Sequence, residues 1–325
     1  MSDPLLSICI PTYNRAAILR KVLKKITDNY AFDDEVEIVI SDNCSTDDTE
    51  KICRYYTKKF PNIKYFKNDR NLAEENFWIA LEHGSGKYLK LINDYIYFTD
   101  DGLEIIKNAV RNQSSDSNIF FYNGDVSVKS VDKEILCDNL NQFITCVSNS
   151  VTFIGYFGIF KKNLFLIDNP LIMKEKKLAQ VDWSYQLVAK LKNTVIVTSK
   201  VFEFEKHSAS GDYNWFEIHM HNYYSIIDIY EKLGIVSSAV VKLDKKHILI
   251  HLKQYIFYTF VYTPKNYRYD KKNAFKIIFK YCRGTILFWI MLIIYPFLFS
   301  FYPLYAIIFN NKHLLSMVKK FLKKN

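Results

Sequence analysis

Three short polar stretches carry side chains that could do chemistry in the N-terminal part of the chain. They are PTYNR at 11–15, SDNCSTDD at 41–48 and NDY at 93–95, and each follows an apolar run. Together they supply carboxylates, amides, hydroxyls and an arginine. Asn93 and Asp94 offer one amide and one carboxylate, a sparse ligand set for Mg²⁺ or Mn²⁺, which favour several oxygen ligands. The stretches predict a polar ligand site.

The elements that must position these stretches alternate between strand and helix. Apolar runs predict strands at 5–10, 36–40, 63–68 and 87–92, and the segments between them show helical periodicity. This alternation is typical of an α/β fold with a mostly parallel sheet. Ligands of such sheets bind beyond the carboxyl ends of the strands. We therefore expect the three polar stretches to converge at that edge.

Polar residues also predict where two of the helices begin. Ser45 and Thr46 are candidate N-caps for the helix after the second strand. Asp100 and Asp101 precede the helical segment GLEIIKNAV and are candidate N-caps there. Local sequence thus favours helix ends for these residues.

The net charge of +10 is confined to the C-terminal quarter of the 325-residue chain. Residues 239–325 contain 16 Lys and Arg but 2 Asp and Glu, whereas residues 1–238 contain 28 basic and 32 acidic residues. Such asymmetry indicates an anionic partner, either a membrane surface or nucleic acid. Nucleic acid is disfavoured because the basic residues flank a long apolar run and no recognised nucleic-acid motif accompanies them.

That apolar run extends from Thr285 to Phe309, 25 residues without a charge. It is long enough to cross a bilayer whose hydrocarbon core is about 30 Å thick, but Pro296 and Pro303 interrupt it. Basic amphipathic segments lie on both sides, which is awkward for a single span under the positive-inside rule. We expect a shallow or re-entrant helical element with surface-lying helices beside it. A buried core hairpin is the alternative.

These patterns predict two parts of the chain. Residues 1–238 would form one α/β domain with halves at 1–110 and 111–238, and residues 239–325 a basic, hydrophobic, helical membrane-associating region. None of the six cysteines forms a C-x-x-C pair, and no signal peptide precedes the first strand. We expect a reduced, cytosolic setting, at the cytoplasmic face of the inner (cell) membrane.

The motifs resemble those of a known enzyme family. LSICIPTYNRAAILRKVL, EIVISDNCSTDDT and NDRNLAEENFWIALEHGSGKYLKLIND occur in the order and spacing of the inverting family 2 glycosyltransferases. The resemblance covers residues 5–105 well and is weaker beyond about residue 120. It implies the Rossmann-like glycosyltransferase A fold, in which a mostly parallel sheet is flanked by helices. It also implies a hexosyl- or deoxyhexosyltransferase.

The resemblance implies a role for each matching residue. Pro11, Thr12, Tyr13 and Arg15 would embrace the nucleotide, and Asp42 would hydrogen-bond its base or ribose. Arg70 would lie near the diphosphate, where a guanidinium suits phosphate oxygens. Asn93 and Asp94 stand where the family places its acidic triplet, with Asp94 as ligand of a divalent cation, Mg²⁺ or Mn²⁺.

Two residues of the weaker half complete the expected site. Asp182, in QVDWSYQL, matches the acidic residue that serves as general base on an acceptor-side helix. An N-terminal helix Asp favoured by the helix dipole is the alternative. His207 matches a histidine that some members use as a third metal ligand or diphosphate contact. It could equally be a loop histidine without a special role.

The implied function is transfer of a sugar, with inversion, from a nucleoside-diphosphate donor to an oligosaccharide on a lipid carrier. The resemblance is to members that build bacterial surface polysaccharides such as O-antigen or capsule. A protein or lipooligosaccharide core is the alternative acceptor. A catalytically weak sugar-nucleotide-binding scaffold is the alternative from another class, since Asn93-Asp94-Tyr95 has one carboxylate where the family has two or three.

Overall fold

The computed structural model describes residues 3–122, 134–205, 214–260, 270–290 and 293, with the backbone alone for 250–260. The chain divides into two compact units: Met1–Ser208 with Asn222–Val241, and Ala209–His221 with Lys242–Asn325. The domain boundaries expected from sequence stay a prediction.

The described residues form ten strands and nine α-helices. The strands are β1 (Leu6–Thr12), β2 (Val36–Asp42), β3 (Ile63–Lys67), β4 (Tyr88–Leu91), β5 (Ile96–Phe98), β6 (Ser117–Phe121), β7 (Glu134–Cys137), β8 (Gly158–Phe160), β9 (Asn193–Val197) and β10 (Phe202–Phe204). The helices are α1 (Ala16–Thr27), α2 (Thr49–Lys59), α3 (Glu75–Glu82), α4 (Gly102–Asn112), α5 (Leu140–Val147), α6 (Ala179–Lys190), α7 (Tyr223–Lys232), α8 (Ser238–Phe260) and α9 (Ala274–Cys282).

The largest sheet of the first unit has the strand order β3-β2-β1-β4-β8. Its first four strands are parallel, and β8 runs antiparallel to β4. The α/β fold with a mostly parallel sheet is therefore confirmed. From β1 the chain moves outward through β2 and β3, then returns to the other side of β1 as β4. This reversal makes the carboxyl ends of β1 and β4 a topological switch point, where open α/β sheets bind ligands.

The sheet core follows from the apolar runs of the sequence. Every residue of β1 and β2 is buried, as expected of parallel strands that helices cover on both faces. The buried stripe of α1 consists of Leu19, Val22, Leu23 and Ile26, one face of a 3.6-residue repeat. Burying each such side chain contributes about 1.5–3 kcal/mol.

Two smaller sheets complete the first unit, and local sequence patterns predicted little of them. β5 pairs antiparallel with β10, so that Ile96 lies opposite Phe204. β9 lies between β6, its parallel neighbour, and β7, its antiparallel neighbour. The β5–β10 pair matters for the site because it fixes the chain directly after residues 93–95.

In the second unit, the described residues end with α9 and the short helix that follows it. His221 Nδ1 lies 2.7 Å from the Tyr281 hydroxyl, and Asn214 Nδ2 donates to the Lys272 carbonyl at 3.0 Å. The basic amphipathic segment before the apolar run contains α9. Within the described ranges, no helix combines the length and apolar character needed to cross a membrane. Most of the apolar run 285–309, and the basic segment after it, lie outside the described residues.

Candidate active site

The switch point of the sheet brings together Thr12 and Asp94. Cys9 of β1 lies opposite Leu91 of β4, so the residues three positions further along each strand emerge side by side. The Thr12 hydroxyl donates to Asp94 Oδ2 at 2.8 Å, and Asp94 is 8% exposed. The structure thus places the first and third polar stretches at one point on the carboxyl edge, where we expected them.

Asp42, at the end of β2, is fully buried and already has two donors. The Ser45 amide donates to Oδ1 at 2.9 Å, and the Tyr65 hydroxyl donates to Oδ2 at 2.6 Å. Burial, and then this bond to a carboxylate, raise the pKa of Tyr65. Asp42 therefore fixes the loop after β2. Its expected contact with a base or ribose stays a prediction, and it must use the lone pairs that these donors leave open.

The loops after β1 and β2 are joined through Asn14. Its backbone N–H donates to Ser45 Oγ at 2.9 Å, and its side-chain Oδ1 accepts from the backbone N–H of Thr46 at 2.8 Å. Asn14 has φ of 51°, a left-handed conformation that Asn tolerates better than most residues. The N-cap prediction for Ser45 and Thr46 was wrong, because α2 begins at Thr49 and Asp48 occupies its N-cap position.

The remaining residues of PTYNR occupy three different environments. Pro11 is buried within β1 opposite Ser41, whereas Tyr13 exposes 43% of its surface. Arg15 is half-buried and precedes α1 as its N-cap residue. Tyr13 and Arg15 can contact a ligand, while Pro11 shapes the strand end.

The loop between β3 and α3, which carries Arg70, is held by amide side chains. Asn43 Oδ1 accepts from the Leu72 amide at 2.8 Å, and Asn43 Nδ2 donates to Asn71 Oδ1 at 2.8 Å. Asn76 Nδ2 donates to the Ser41 carbonyl at 2.9 Å. Arg70 itself is exposed, and in the described part of the chain no hydrogen bond or ion pair engages its guanidinium. It projects from a fixed loop at the carboxyl edge.

The described residues do not form a complete metal centre. Nowhere in the described ranges do three His, Cys, Asp or Glu side chains gather to hold an ion. Asn93 is half-buried and donates to the Tyr95 hydroxyl at 2.8 Å. His207 lies outside the described residues. Asp94 is thus the described carboxylate best placed to ligate a cation, and further ligands would come from a bound diphosphate, from water or from residues outside the described ranges.

Asp182 lies in the first turn of α6 and is 5% exposed. Burial raises the pKa of its carboxyl group, while hydrogen bonds from Tyr230 and Gln186 act in the opposite direction. In the described part of the chain, these two side chains are its hydrogen-bond partners. The structure therefore does not join Asp182 directly to Thr12 or Asp94.

The approach to α6 nevertheless lies beside the carboxyl edge. Lys174, a few residues before α6, forms an ion pair with Glu75 in the first turn of α3 at 2.6 Å. Further along the two helices, the rings of Trp78 and Trp183 pack at 5.1 Å. Because α3 follows the loop of Arg70, the segment just before α6 lies near that loop.

Lys90 is a residue at this site that the sequence interpretation missed. It is fully buried in β4, and its Nζ donates to the carbonyls of Gly155 at 2.5 Å and Phe157 at 2.6 Å. Burial holds its pKa well below the ordinary lysine value. A lysine inside the apolar run KYLKLI was the available signal. It fastens the segment before β8 to the strand that leads to Asp94.

The chain resembles proteins of known activity. The family model "Glycosyl transferase family 2" matches residues 7–167. Abequosyltransferase RfbV of Salmonella typhimurium is 35% identical over 113 residues, 34% of this chain and 34% of the relative. GalNAc(5)-diNAcBac-PP-undecaprenol beta-1,3-glucosyltransferase of Campylobacter jejuni is 34% identical over 109 residues, 33% and 32% of the two chains. The chain thus spans about a third of the length of these curated relatives.

A solved structure shares the fold. S. aureus TarS 1–349 in complex with UDP-GlcNAc superimposes with a TM-score of 0.52 and 15% identity, over 78% of this chain and 75% of that one. At this identity the likeness concerns the fold, which agrees with the expected glycosyltransferase A architecture. The matched family segment begins in β1 and includes Thr12, Asp42, Arg70 and Asp94. Residues 7–167, just under half of the chain, thus form a domain that matches the model of glycosyl transferase family 2.

Proposed function

We propose that this chain transfers a sugar, with inversion, from a nucleoside-diphosphate donor to an oligosaccharide on a lipid carrier. The observation that carries the proposal is the Thr12–Asp94 pair at the switch point of a family 2 domain. The undecaprenol-linked acceptor in the name of the C. jejuni relative supports the lipid carrier. The abequosyltransferase relative supports a role in O-antigen or related surface polysaccharide synthesis.

The chemistry assigns one task to each end of the bond that breaks. Asp182 accepts the proton of the acceptor hydroxyl, whose oxygen attacks the anomeric carbon from the face opposite the leaving group. The bond between that carbon and the diphosphate oxygen breaks, and the electron pair leaves with the nucleoside diphosphate. Arg70, which is exposed on its fixed loop, stabilises the negative charge that develops there. Tyr13 and Arg15 contact the nucleotide.

We further propose that a divalent cation, Mg²⁺ or Mn²⁺, assists donor binding through Asp94. The described residues supply too few ligands to hold such an ion alone, so the diphosphate oxygens, with His207 as a further ligand, would complete its coordination. This predicts that cation binding is weak without donor and tighter with it. We also propose that the chain binds an anionic membrane surface at the cytoplasmic face of the inner (cell) membrane.

The support for membrane attachment is an exposed apolar stripe beside basic residues. Ile286, Trp289, Ile290 and Ile293 follow the i, i+3, i+4, i+7 spacing of one helix face, and all four are exposed, Ile286 by 75% and Ile293 by 76%. Lys276, Lys280 and Arg283 are exposed shortly before this stripe. An apolar face with flanking cations suits the headgroup region of an anionic bilayer.

The experiment is sugar transfer in isolated membranes with a panel of UDP-, GDP-, CDP- and dTDP-sugars, with and without EDTA. We expect one donor to give a lipid-extractable product, and EDTA to lower the rate. Asp182→Asn should abolish transfer but retain donor binding, while Asp116→Asn, at an exposed carboxylate, should behave as wild type. Donor binding without turnover by wild type would instead favour the scaffold, and near-normal turnover of Asp182→Asn would remove the proposed base.

A further inference from the structure

Two neutral donors hold the two oxygens of the Asp182 carboxylate. The Tyr230 hydroxyl donates to Oδ1 at 2.8 Å, and Gln186 Nε2 donates to Oδ2 at 2.8 Å. Gln186 lies one turn further along α6, whereas Tyr230 comes from α7. Lys190 acts on Asp182 through space and not through a hydrogen bond. The carboxylate is therefore oriented by hydrogen bonds and not by an ion pair.

Both donors are fixed by other contacts. The Tyr230 ring packs edge-on against Tyr185 at 5.3 Å, and its backbone carbonyl accepts from the Ile235 amide at 3.0 Å. Gln186 Oε1 accepts from the Asp168 amide at 2.7 Å. Because that oxygen is occupied by a backbone donor, the amino group of Gln186 must face Asp182. The arrangement holds the carboxylate in one orientation.

The charges around Asp182 make the Tyr230 bond the main influence that favours the ionised form. Burial raises the pKa of Asp182, and the hydrogen bond from Tyr230 is the largest effect that lowers it, followed by that from Gln186. Asp168, which binds Lys190 at 2.6 Å, offsets much of that lysine's charge. Tyr185, a further titratable group, packs against Tyr230. A buried general base needs such donors, since otherwise desolvation would keep it protonated.

We propose that Tyr230 is a positioning residue for the general base: its hydroxyl orients the Asp182 carboxylate and stabilises its proton-accepting form. The inference rests on the proposed role of Asp182 in sugar transfer. If the Tyr230 bond only held α6 against α7, its loss would lower stability without moving the pH profile of the reaction. The proposed role does move that profile, because the base is active only when ionised.

The test is the pH dependence of kcat/KM for Tyr230→Phe, measured with the donor identified in the panel. A hydrogen bond to a charged group is worth about 1.5–3 kcal/mol, which corresponds to roughly one to two pH units. We expect the acidic limb of the profile to move to higher pH by about that amount. The rate would fall at least tenfold on that limb and recover in part at alkaline pH.

Tyr88→Phe is the matched control. It removes a hydroxyl that donates to the Ile119 carbonyl at 2.9 Å in the core, away from Asp182. We expect lower stability with an unchanged pH profile. If Tyr230→Phe is not recovered folded, 3-fluorotyrosine at position 230 keeps the ring and makes the hydroxyl a stronger donor, so the acidic limb should move to lower pH.

The outcomes separate this inference from the proposed function. A Tyr230 variant with the wild-type profile would overturn the positioning role, while transfer by wild type and its loss in Asp182→Asn would still support the function. Near-normal transfer by Asp182→Asn would overturn both the base and its positioning residue. A shifted acidic limb in Tyr230→Phe, with none in Tyr88→Phe, would establish the inference.

Discussion

Replacing Tyr65 by Phe tests the assignment of Asp42 to the loop after β2. The substitution removes the hydroxyl that donates to Asp42 Oδ2 at 2.6 Å and leaves the ring in place. The acceptor is a fully buried carboxylate, so the loss should approach that of a hydrogen bond to a charged group, about 1.5–3 kcal/mol. The Ser45 amide would be the remaining donor to this carboxylate.

The magnitude follows from burial, because water does not readily replace the lost donor at a fully buried oxygen. At about 2–4 °C of melting temperature per kcal/mol for a domain of 150–250 residues, we expect Tm to fall by roughly 3–12 °C. Nucleotide affinity should fall too, since Asp42 shapes the loop that is joined to Asn14.

The assay is urea unfolding followed by circular dichroism, with Tyr55→Phe as the control because Tyr55 is exposed on the neighbouring helix α2. We expect the control to change the free energy of unfolding by less than about 0.5 kcal/mol. A Tyr65→Phe variant as stable as this control would refute the reasoning that Asp42 is held chiefly by protein donors.

Three further predictions follow from buried or exposed groups. Lys90→Met removes the Lys90 donor from the Gly155 carbonyl and leaves the Phe157 carbonyl with the Leu91 amide. It should lower the free energy of unfolding by roughly 1–3 kcal/mol, measured in urea; unchanged stability would contradict it. The raised pKa of Asp182 means that its ionisation costs stability. Wild type should therefore lose stability relative to Asp182→Asn as pH rises through that pKa, above the ordinary aspartate range, and parallel pH curves would refute this. The double substitution Lys276→Gln and Lys280→Gln should lower the affinity for anionic vesicles about 30-fold, at roughly 1 kcal/mol for each lysine, as measured by sedimentation. Lys58→Gln on α2 should leave that affinity unchanged.

The sequence predicted the elements of the main sheet because their signals are local. β1 and β2 are continuous apolar runs, and α1 has an apolar stripe of helical period, so each pattern lies within a dozen residues. The Asp101 prediction also rested on local sequence, and Asp101 does occupy the N-cap position of α4. Its side chain, however, makes no capping hydrogen bond and accepts from the Tyr30 hydroxyl at 3.3 Å.

The sequence could not show which residues, distant along the chain, become contact partners in the fold. Ser45 was predicted as a helix cap, but its hydroxyl accepts from Asn14, 31 residues earlier. The strand β5 is three residues long and exists because β10, more than 100 residues later, pairs with it. The general-base candidate Asp182 was found from its motif, whereas its partner Tyr230 lies 48 residues away on another helix.

The central claim is that the switch point beside Thr12 and Asp94 binds the donor. Isothermal titration of the UDP-, GDP-, CDP- and dTDP-sugar panel, with Mn²⁺ present, into wild type and Asp94→Ala tests it most directly. We predict that at least one donor binds wild type and that Asp94→Ala weakens its affinity at least tenfold. A donor that binds both proteins with equal affinity would show that the site lies elsewhere.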